Sequence, residues 1–241
     1  MIICIGREFG SGGHEIGRKV AEKLGLELYD RDLIDRAAEK IVAMPKDVLE
    51  KADEKKRNPW LHEVWYDVPN QELNGMTATE RAQLPAEELA AIQGQEIVIS
   101  TLGGMDLDIK TENIVKVMRE LRVKRLIAIS AGGIYDELSE PFNSWDKQVV
   151  GYTRPTNLRT AEVIEHSPLE YTILRPVWLT DKSSEEFQLT KKGEVFKGTE
   201  TSRASLGRFI ANIVENPQLH IRENLGISQP NTEGDRPAAY R

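Results

Sequence analysis

Cysteine is almost absent: Cys4 is the only one in 241 residues. A single thiol excludes a disulfide framework, so a hydrophobic core has to hold the fold, and a reducing, cytoplasmic setting is expected. Cys4 lies inside a short apolar run and reads as a small buried residue rather than a reactive thiol. Histidine is scarce as well. His14, His62, His166 and His220 are scattered without ligand spacing, so no metal site is expected. No apolar run approaches the roughly 20 residues that span a bilayer. The N-terminus passes from an apolar run straight into a glycine-rich loop, which is not the pattern of a signal peptide. Basic residues are outnumbered, 32 Lys and Arg against 39 Asp and Glu, for a net charge of −7. That balance argues against general nucleic-acid binding. Neither a nucleic-acid nor a membrane partner is therefore expected, and no long apolar helix face is left over to specify an oligomer. Hydrophobic content of 39% suffices for one large α/β domain, or one domain with an appendage.

What the chain does have is concentrated in its first thirty residues. Met1 to Ile5 is a short apolar strand. Five glycines fall between Gly6 and Gly17. His14 to Leu24 has the spacing of an amphipathic helix, with Ile16, Val20, Ala21 and Leu24 on one stripe. Gly25 is the expected left-handed stop. Leu26 to Tyr29 reads as a second strand, closed by Asp30-Arg31-Asp32. Strand, glycine loop, helix, strand and acid together build an anion site. Glycines let backbone N–H groups approach a phosphate, and the helix N-terminus adds partial positive charge.

Two chemistries fit that loop. Gly6-xxx-Gly10-x-Gly12 suits a dinucleotide turn, with Asp30 placed to hold a ribose hydroxyl and Arg31 able to accept a 2′-phosphate. A mononucleotide P-loop is the alternative, but Gly13 and His14 stand where Lys and Ser/Thr would be needed. Downstream, Leu33 to Val42 and Pro45 to Lys56 read as helices, and Trp60, Trp65 and Tyr66 as a packing cluster.

From about residue 84 a strand and crossover-helix series follows. Pro85 to Gln93 is a short helix and Glu96 to Ser100 a strand, with Thr101 to Gly104 turning at its carboxyl end. Asp106 opens a long helix with Ile109, Ile114, Val117, Met118 and Leu121 on its apolar stripe. Lys124 to Ser130 is a continuous apolar strand, as in a sheet covered on both faces. Glu137 to Thr156 reads as an irregular loop over the sheet's carboxyl edge. Asn157 to His166 is helical, and Glu170 to Pro176 is a strand continued by Val177 to Leu179. Lys191 to Lys197 is a charged hairpin or extended piece. Ser202 caps a helix from Ala204 to Val214. Asn224 to Ser228 is the last strand, and Gln229 to Arg241 a polar tail. The fold class predicted is α/β: a Rossmann-like, doubly wound, mostly parallel sheet with helices on both faces.

Residues 1 to 83 resemble the opening of cytidylate-kinase-like proteins. The resemblance rests on Ile5-Gly-Arg-Glu-Phe-Gly-Ser-Gly-Gly13, Glu15 to Lys19, Leu28 to Ile34 and Glu50 to Lys55. It implies that Gly10 to Gly13 cradle nucleotide phosphates, with ATP and Mg2+ as alternative cofactors and a nucleoside monophosphate kinase as the alternative function. The basic lid such kinases need does not appear downstream. Residues 84 to 241 resemble the atypical short-chain dehydrogenase/reductases of the NAD(P)H-binding, NmrA-like kind. Gly94 to Ser100, Val123 to Ser130, Glu170 to Leu179, Phe196 to Gly198 with Thr201 to Arg203, and Asn224 to Pro230 carry it. It implies NAD(P)(H) as cofactor. Thr101, Leu102 and Gly103 would then lie under the adenosine and ribose. Ser130 would face the nicotinamide, and the segment from Arg175 and Pro176 to Trp178 would flank its amide.

The site predicted from both resemblances comprises Gly6, Arg7, Gly10, Ser11, Gly12, Gly13, Asp30, Arg31, Thr101, Leu102, Gly103, Ser130, Arg175 and Pro176 for the cofactor. Ser130 and Tyr152 are the catalytic candidates. A full short-chain dehydrogenase places a Lys four residues after its Tyr to lower the Tyr pKa. Here Thr156 stands there, so Tyr152 is either a proton donor or a residue of the cleft rim. Each half lacks what the other has. The arrangement that completes both puts Met1 to Ile5 parallel to Glu96 to Ser100, with the glycine loop at the topological switch point of the sheet. Such a chain binds a dinucleotide, either as a weak oxidoreductase or as a binder without turnover.

Overall fold

The structure, a computed structural model, describes the backbone of residues 3–7 and, with side chains, residues 13–26 and 92–241. All of them belong to one compact unit, built from Met1–Leu26 together with Glu87–Arg241. Outside the described residues lie positions 8–12 of the glycine loop, Asp30 and Arg31, the helices expected over 33–42 and 45–56, and the aromatic segment 60–66.

Among the described residues eight strands form: β1 (Ile3–Arg7), β2 (Ile97–Thr101), β3 (Arg125–Ile129), β4 (Glu170–Pro176), β5 (Trp178–Thr180), β6 (Gln188–Lys191), β7 (Glu200–Ser202) and β8 (Glu223–Ser228). Six of them make one sheet in the order β1-β2-β3-β4-β8-β6. Every neighbouring pair is parallel except β6 and β8. The first strand of the leader does pair with the body: Ile3 lies opposite Ile97 and Ile5 opposite Ile99, in parallel register. Strands β5 and β7 form a separate parallel ribbon just beyond the carboxyl end of β4.

Five α-helices are described: α1 (Gly13–Leu24), α2 (Leu107–Glu120), α3 (Phe142–Val150), α4 (Arg154–Glu165) and α5 (Arg203–Glu215). They cover both faces of the sheet. Because side chains alternate along a strand, neighbouring apolar residues enter different cores. Val98, Leu126, Ala128 and Ile173 point to the side of α2 and α4, where Ile114, Met118, Ala161 and Ile164 meet them. Ile97, Ile99, Ile127, Leu174 and Ile227 point to the side of α1 and α5, against Ile16, Val20, Leu206, Ile210 and Val214. Burying each such aliphatic side chain contributes about 1.5–3 kcal/mol. The continuous apolar strands read from the sequence are the product of this two-sided burial.

Helix α1 buries Ile16 and Val20, four residues apart, and leaves Arg18 to pair with Glu15 and Glu22. Gly25 ends it at φ +62°, as expected. Gly207 brings α5 close to α1: a Cβ there would stand 2.8 Å from Lys19 Cβ. Ser202 caps α5 by accepting the Ser205 N–H at 2.9 Å.

Several expectations are corrected. The stretch Glu137 to Thr156 is not irregular, since it contains α3, a 3-10 turn over Gly151–Thr153 and the start of α4. Its prolines misled: Pro141 occupies the N-cap of α3 and Pro155 the first turn of α4, where a missing N–H breaks no helical bond. Ile109 does not belong to the buried stripe of α2. It is 48% exposed, and the stripe runs instead through Leu107, Thr111, Ile114, Val115 and Met118, three or four residues apart. The extended piece expected from Lys191 lies earlier, as β6, because Gln188 to Lys191 pair antiparallel with Ser228 to Leu225 of β8. The tail after Ser228 is tied down and ends in a 3-10 turn over Ala238–Tyr240.

Candidate functional site

The carboxyl ends of β1 and β2 are level, with Gly6 opposite Ser100 and Arg7 opposite Thr101. The chain leaves β1 there and returns as α1, whose first residue is Gly13. Gly13 and Gly17 are both buried, so the first turns of the helix lie close against the structure. A helix that starts at the carboxyl edge of a parallel sheet carries the positive end of its dipole there. Of the phosphate-binding residues expected, Gly6, Arg7 and Gly13 therefore stand at the carboxyl edge.

Thr101, at the end of β2, is 3% exposed. Leu102 packs into the core on the α2 side. Backbone, rather than the Leu102 side chain, is thus what the turn offers a ligand. The Gly103 carbonyl accepts from Lys110 Nζ at 3.4 Å, which steadies the turn, and Gly104 follows at φ +98°.

Ser130 terminates β3. Its N–H donates to the Leu174 carbonyl at 2.8 Å, and Gly132 N–H to the Pro176 carbonyl at 2.8 Å. These bonds bind the loop after β3 to the end of β4. The Ser130 hydroxyl is different, being buried without a hydrogen-bond partner among the described residues. A buried hydroxyl left unsatisfied costs about 1–3 kcal/mol, which a ligand can recover. Ser130 consequently carries unused hydrogen-bonding capacity at the carboxyl end of β3.

Tyr152 lies in the 3-10 turn at the head of α4 and is 55% exposed. Thr156, one turn on, is 2% exposed. Its hydroxyl donates to the Met105 carbonyl at 3.4 Å and accepts from Arg159 at 3.1 Å. The nearby guanidiniums have other partners. Arg154 binds Asp146 at 2.7 Å, Asp136 at 3.0 Å and Asn143 at 3.0 Å, while Arg159 binds Asp108 at 2.6 Å. Gly133, at φ +88°, lets Arg154 lie against the loop: a Cβ would meet the guanidinium at 2.6 Å.

The Arg175 side chain has its partners inside the protein. Its side chain is fully buried and forms an ion pair with Glu137. Its Nε donates to Asn224 Oδ1 at 2.7 Å. Burial pulls the guanidinium below its ordinary value while Glu137 opposes that pull. Glu137 also accepts Gly133 N–H at 3.1 Å and Tyr135 N–H at 2.7 Å. The pair therefore fixes the loop after Ser130 from below. Sequence reasoning missed Glu137 by placing it in an irregular stretch. The signal was an acid four residues beyond a Gly-Gly pair, with one buried Arg to match it.

Asp146 was missed as well, and Trp178 was expected only as the end of the segment that flanks the nicotinamide amide. Asp146 is buried and accepts Trp178 Nε1 at 2.8 Å on the oxygen that Arg154 leaves. Trp178 also packs with Trp145, at 4.9 Å between ring centroids. The rim segment beyond β4 is thereby joined to the start of α4. No group of His, Cys, Asp or Glu among the described residues is arranged to hold a metal ion, and none of their helices is long and apolar enough to cross a membrane.

Comparison with known proteins gives the site its context. A family model described as NAD(P)H-binding matches residues 71–217. That span holds Thr101, Ser130, Tyr152 and Arg175, and begins within the last part of the segment 1–83 that carries the cytidylate-kinase resemblance. The sequence matches no curated protein. A Rossmann-fold NAD(P)-binding family protein from Shigella flexneri is 42% identical, with a TM-score of 0.51 over 64% of this chain and 70% of that one. A wide-type short-chain dehydrogenase/reductase from Veillonella parvula, solved in complex with NADP, is 25% identical, with a TM-score of 0.59 over 64% and 72%. An anaerobilin reductase from Escherichia coli, at 21% identity and a TM-score of 0.54 over 64% and 72%, shares the fold. By the family match and the Rossmann-like sheet together, the chain belongs to the NAD(P)H-binding family.

Proposed function

We propose that this protein holds NAD(P)(H) across the carboxyl ends of β1, β2 and β3, with the pyrophosphate at the N-terminus of α1 and the nicotinamide toward Ser130. The observation that carries the reading is the orphaned Ser130 hydroxyl, buried one strand away from the β2 turn at Thr101. In such sheets ligands sit outside the carboxyl ends of the strands. Gly6, Arg7 and Gly10 to Gly13 take the phosphates in this reading, Asp30 and Arg31 the adenosine ribose, and Thr101 to Gly103 the adenine side through backbone. Pro176 lines the nicotinamide end. Arg175 acts through Glu137 as a positioning residue rather than a ligand. The dinucleotide, when bound, supplies a hydride.

The chain acts first as a dinucleotide binder without the Tyr–Lys proton relay of the full short-chain dehydrogenases. Thr156 occupies the Lys position with its hydroxyl already engaged, and Arg154 has three polar partners of its own. A second reading keeps Tyr152 as proton donor, favoured by its place at the head of α4 on the same rim. The two are separated by steady-state oxidation of NADPH with a panel of small carbonyl compounds, comparing the parent with Tyr152→Phe. Binding without turnover in either protein supports the first reading. Turnover by the parent that falls at least about tenfold in the variant supports the second.

A further inference from the structure

The chain beyond β8 is fastened in two stages. Close to the sheet, Gln229 N–H donates to the Glu200 carbonyl at 2.7 Å, and Thr199 and Thr232 bond each other. Gly198 leaves room for this crossing, since a Cβ there would stand 2.5 Å from the Gln229 carbonyl oxygen. Further on, the Ala238 N–H donates to the Glu200 carboxylate, whose other oxygen holds Lys182. Glu200 is 2% exposed, so the tail is held by a buried charge.

That anchor delivers Tyr240 onto two indoles. Its ring lies 5.4 Å from Trp145 and 5.0 Å from Trp178, centroid to centroid. Yet Tyr240 remains 51% exposed, so it forms the outermost layer of the cluster. The indoles beneath it are fixed from inside, Trp178 by Asp146 and Trp145 by Phe142. Trp178 stands two residues beyond Pro176, whose carbonyl holds Gly132 and with it the loop that leaves Ser130. The tail thus ends on the rim that carries Ser130.

We infer that residues 237–241 form a strap that closes the nicotinamide end of the dinucleotide site, with Tyr240 as its movable cover and Glu200 as its catch. This rests on the reading that the dinucleotide lies at the carboxyl ends of β1 to β3. The asymmetry of the attachment supports a moving part. The anchor at Ala238 is charge-assisted and rests on the buried Glu200, whereas the cover is held by ring contacts worth about 0.5–1.5 kcal/mol each beyond area burial. Contacts of that size open readily while the anchor keeps the segment in register.

The test follows the fluorescence of bound NADPH and its quenching by acrylamide in the full chain, in Tyr240→Ala and in Tyr240→Phe. Dissociation constants come from the same titrations. The expected result is a quenching constant at least about twofold higher in Tyr240→Ala, with Tyr240→Phe like the parent, because edge and face contacts need the ring alone. Affinity for NADPH should stay within about twofold in all three, since the phosphates lie at the opposite end of the site. NADPH bound with equal quenching in parent and Tyr240→Ala overturns the strap while leaving the dinucleotide reading intact. Failure of the parent to bind NADPH overturns both. Acrylamide quenching of tryptophan in the ligand-free proteins adds a second readout, and no difference between parent and Tyr240→Ala there also counts against the strap.

Discussion

Arg175 and Glu137 form an ion pair with side chains 0% and 3% exposed. Such a pair stabilises little against a well-packed apolar replacement, but breaking it from one side leaves a buried charge. Glu137→Ala should therefore cost about 3–5 kcal/mol. Replacing both residues with apolar side chains of similar volume should cost distinctly less. Urea denaturation of the three proteins checks this. The single variant should also weaken NADPH binding, because Glu137 holds the Gly133 and Tyr135 N–H groups of the loop after Ser130. Equal stability of parent and single variant would contradict the account of the loop.

Ser130→Ala separates binding from folding. The hydroxyl has no hydrogen-bond partner among the described residues, so removing it should leave stability equal or up to about 1 kcal/mol higher. Affinity for NADPH should fall about three- to tenfold, the worth of one hydrogen bond. Thermal unfolding with and without NADPH reads both quantities. A variant that loses stability and keeps its affinity would show that Ser130 only closes the strand.

Glu200 gives the tail a dependence on pH. Burial pushes its carboxyl up, but Lys182, the Ala238 N–H and Arg241 together hold it below the ordinary 4.5. A carboxylate depressed in the folded state contributes stability that is complete above its unfolded pKa and lost as pH falls through the folded one. The tail should accordingly stay fastened at neutral pH and let go only below the ordinary carboxylate range. Acrylamide quenching of tryptophan, followed as pH is lowered, should rise there in the parent. Glu200→Gln should show raised quenching already at neutral pH and a flatter profile. Coincident profiles would remove Glu200 as the fastening.

Much of the fold was legible because parallel strands buried on both faces leave nearly unbroken apolar runs. Glu170 to Pro176 was bounded to the residue, and Ser202 was recognised as a cap from its place before an apolar helical stripe. The pairing of β1 with β2 was legible from two incomplete halves. Prolines caused the largest error, since Pro141 and Pro155 suggest broken chain in a sequence but sit at helix starts in space. Of the candidate site, the carboxyl-edge positions could be read from strand ends. What stayed hidden depends on partners distant in sequence: Arg175 was expected in the segment flanking the nicotinamide amide, and nothing in the sequence marked Glu137 and Asn224 as partners of its side chain. Tyr240 looked like free tail until Trp145 and Trp178 came together. No periodicity marks a contact of that kind.

The central claim is that the glycine loop of the leader serves a dinucleotide held by the sheet of the body. The most direct measurement titrates the purified full chain with NADPH, NADH, ATP with magnesium, and CMP, following intrinsic fluorescence and thermal shift. The account predicts saturable binding of NADPH or NADH, a rise in melting temperature that grows with ligand concentration, and weaker effects from ATP and CMP. Saturable binding of ATP with magnesium, and none of either nicotinamide dinucleotide, would contradict it.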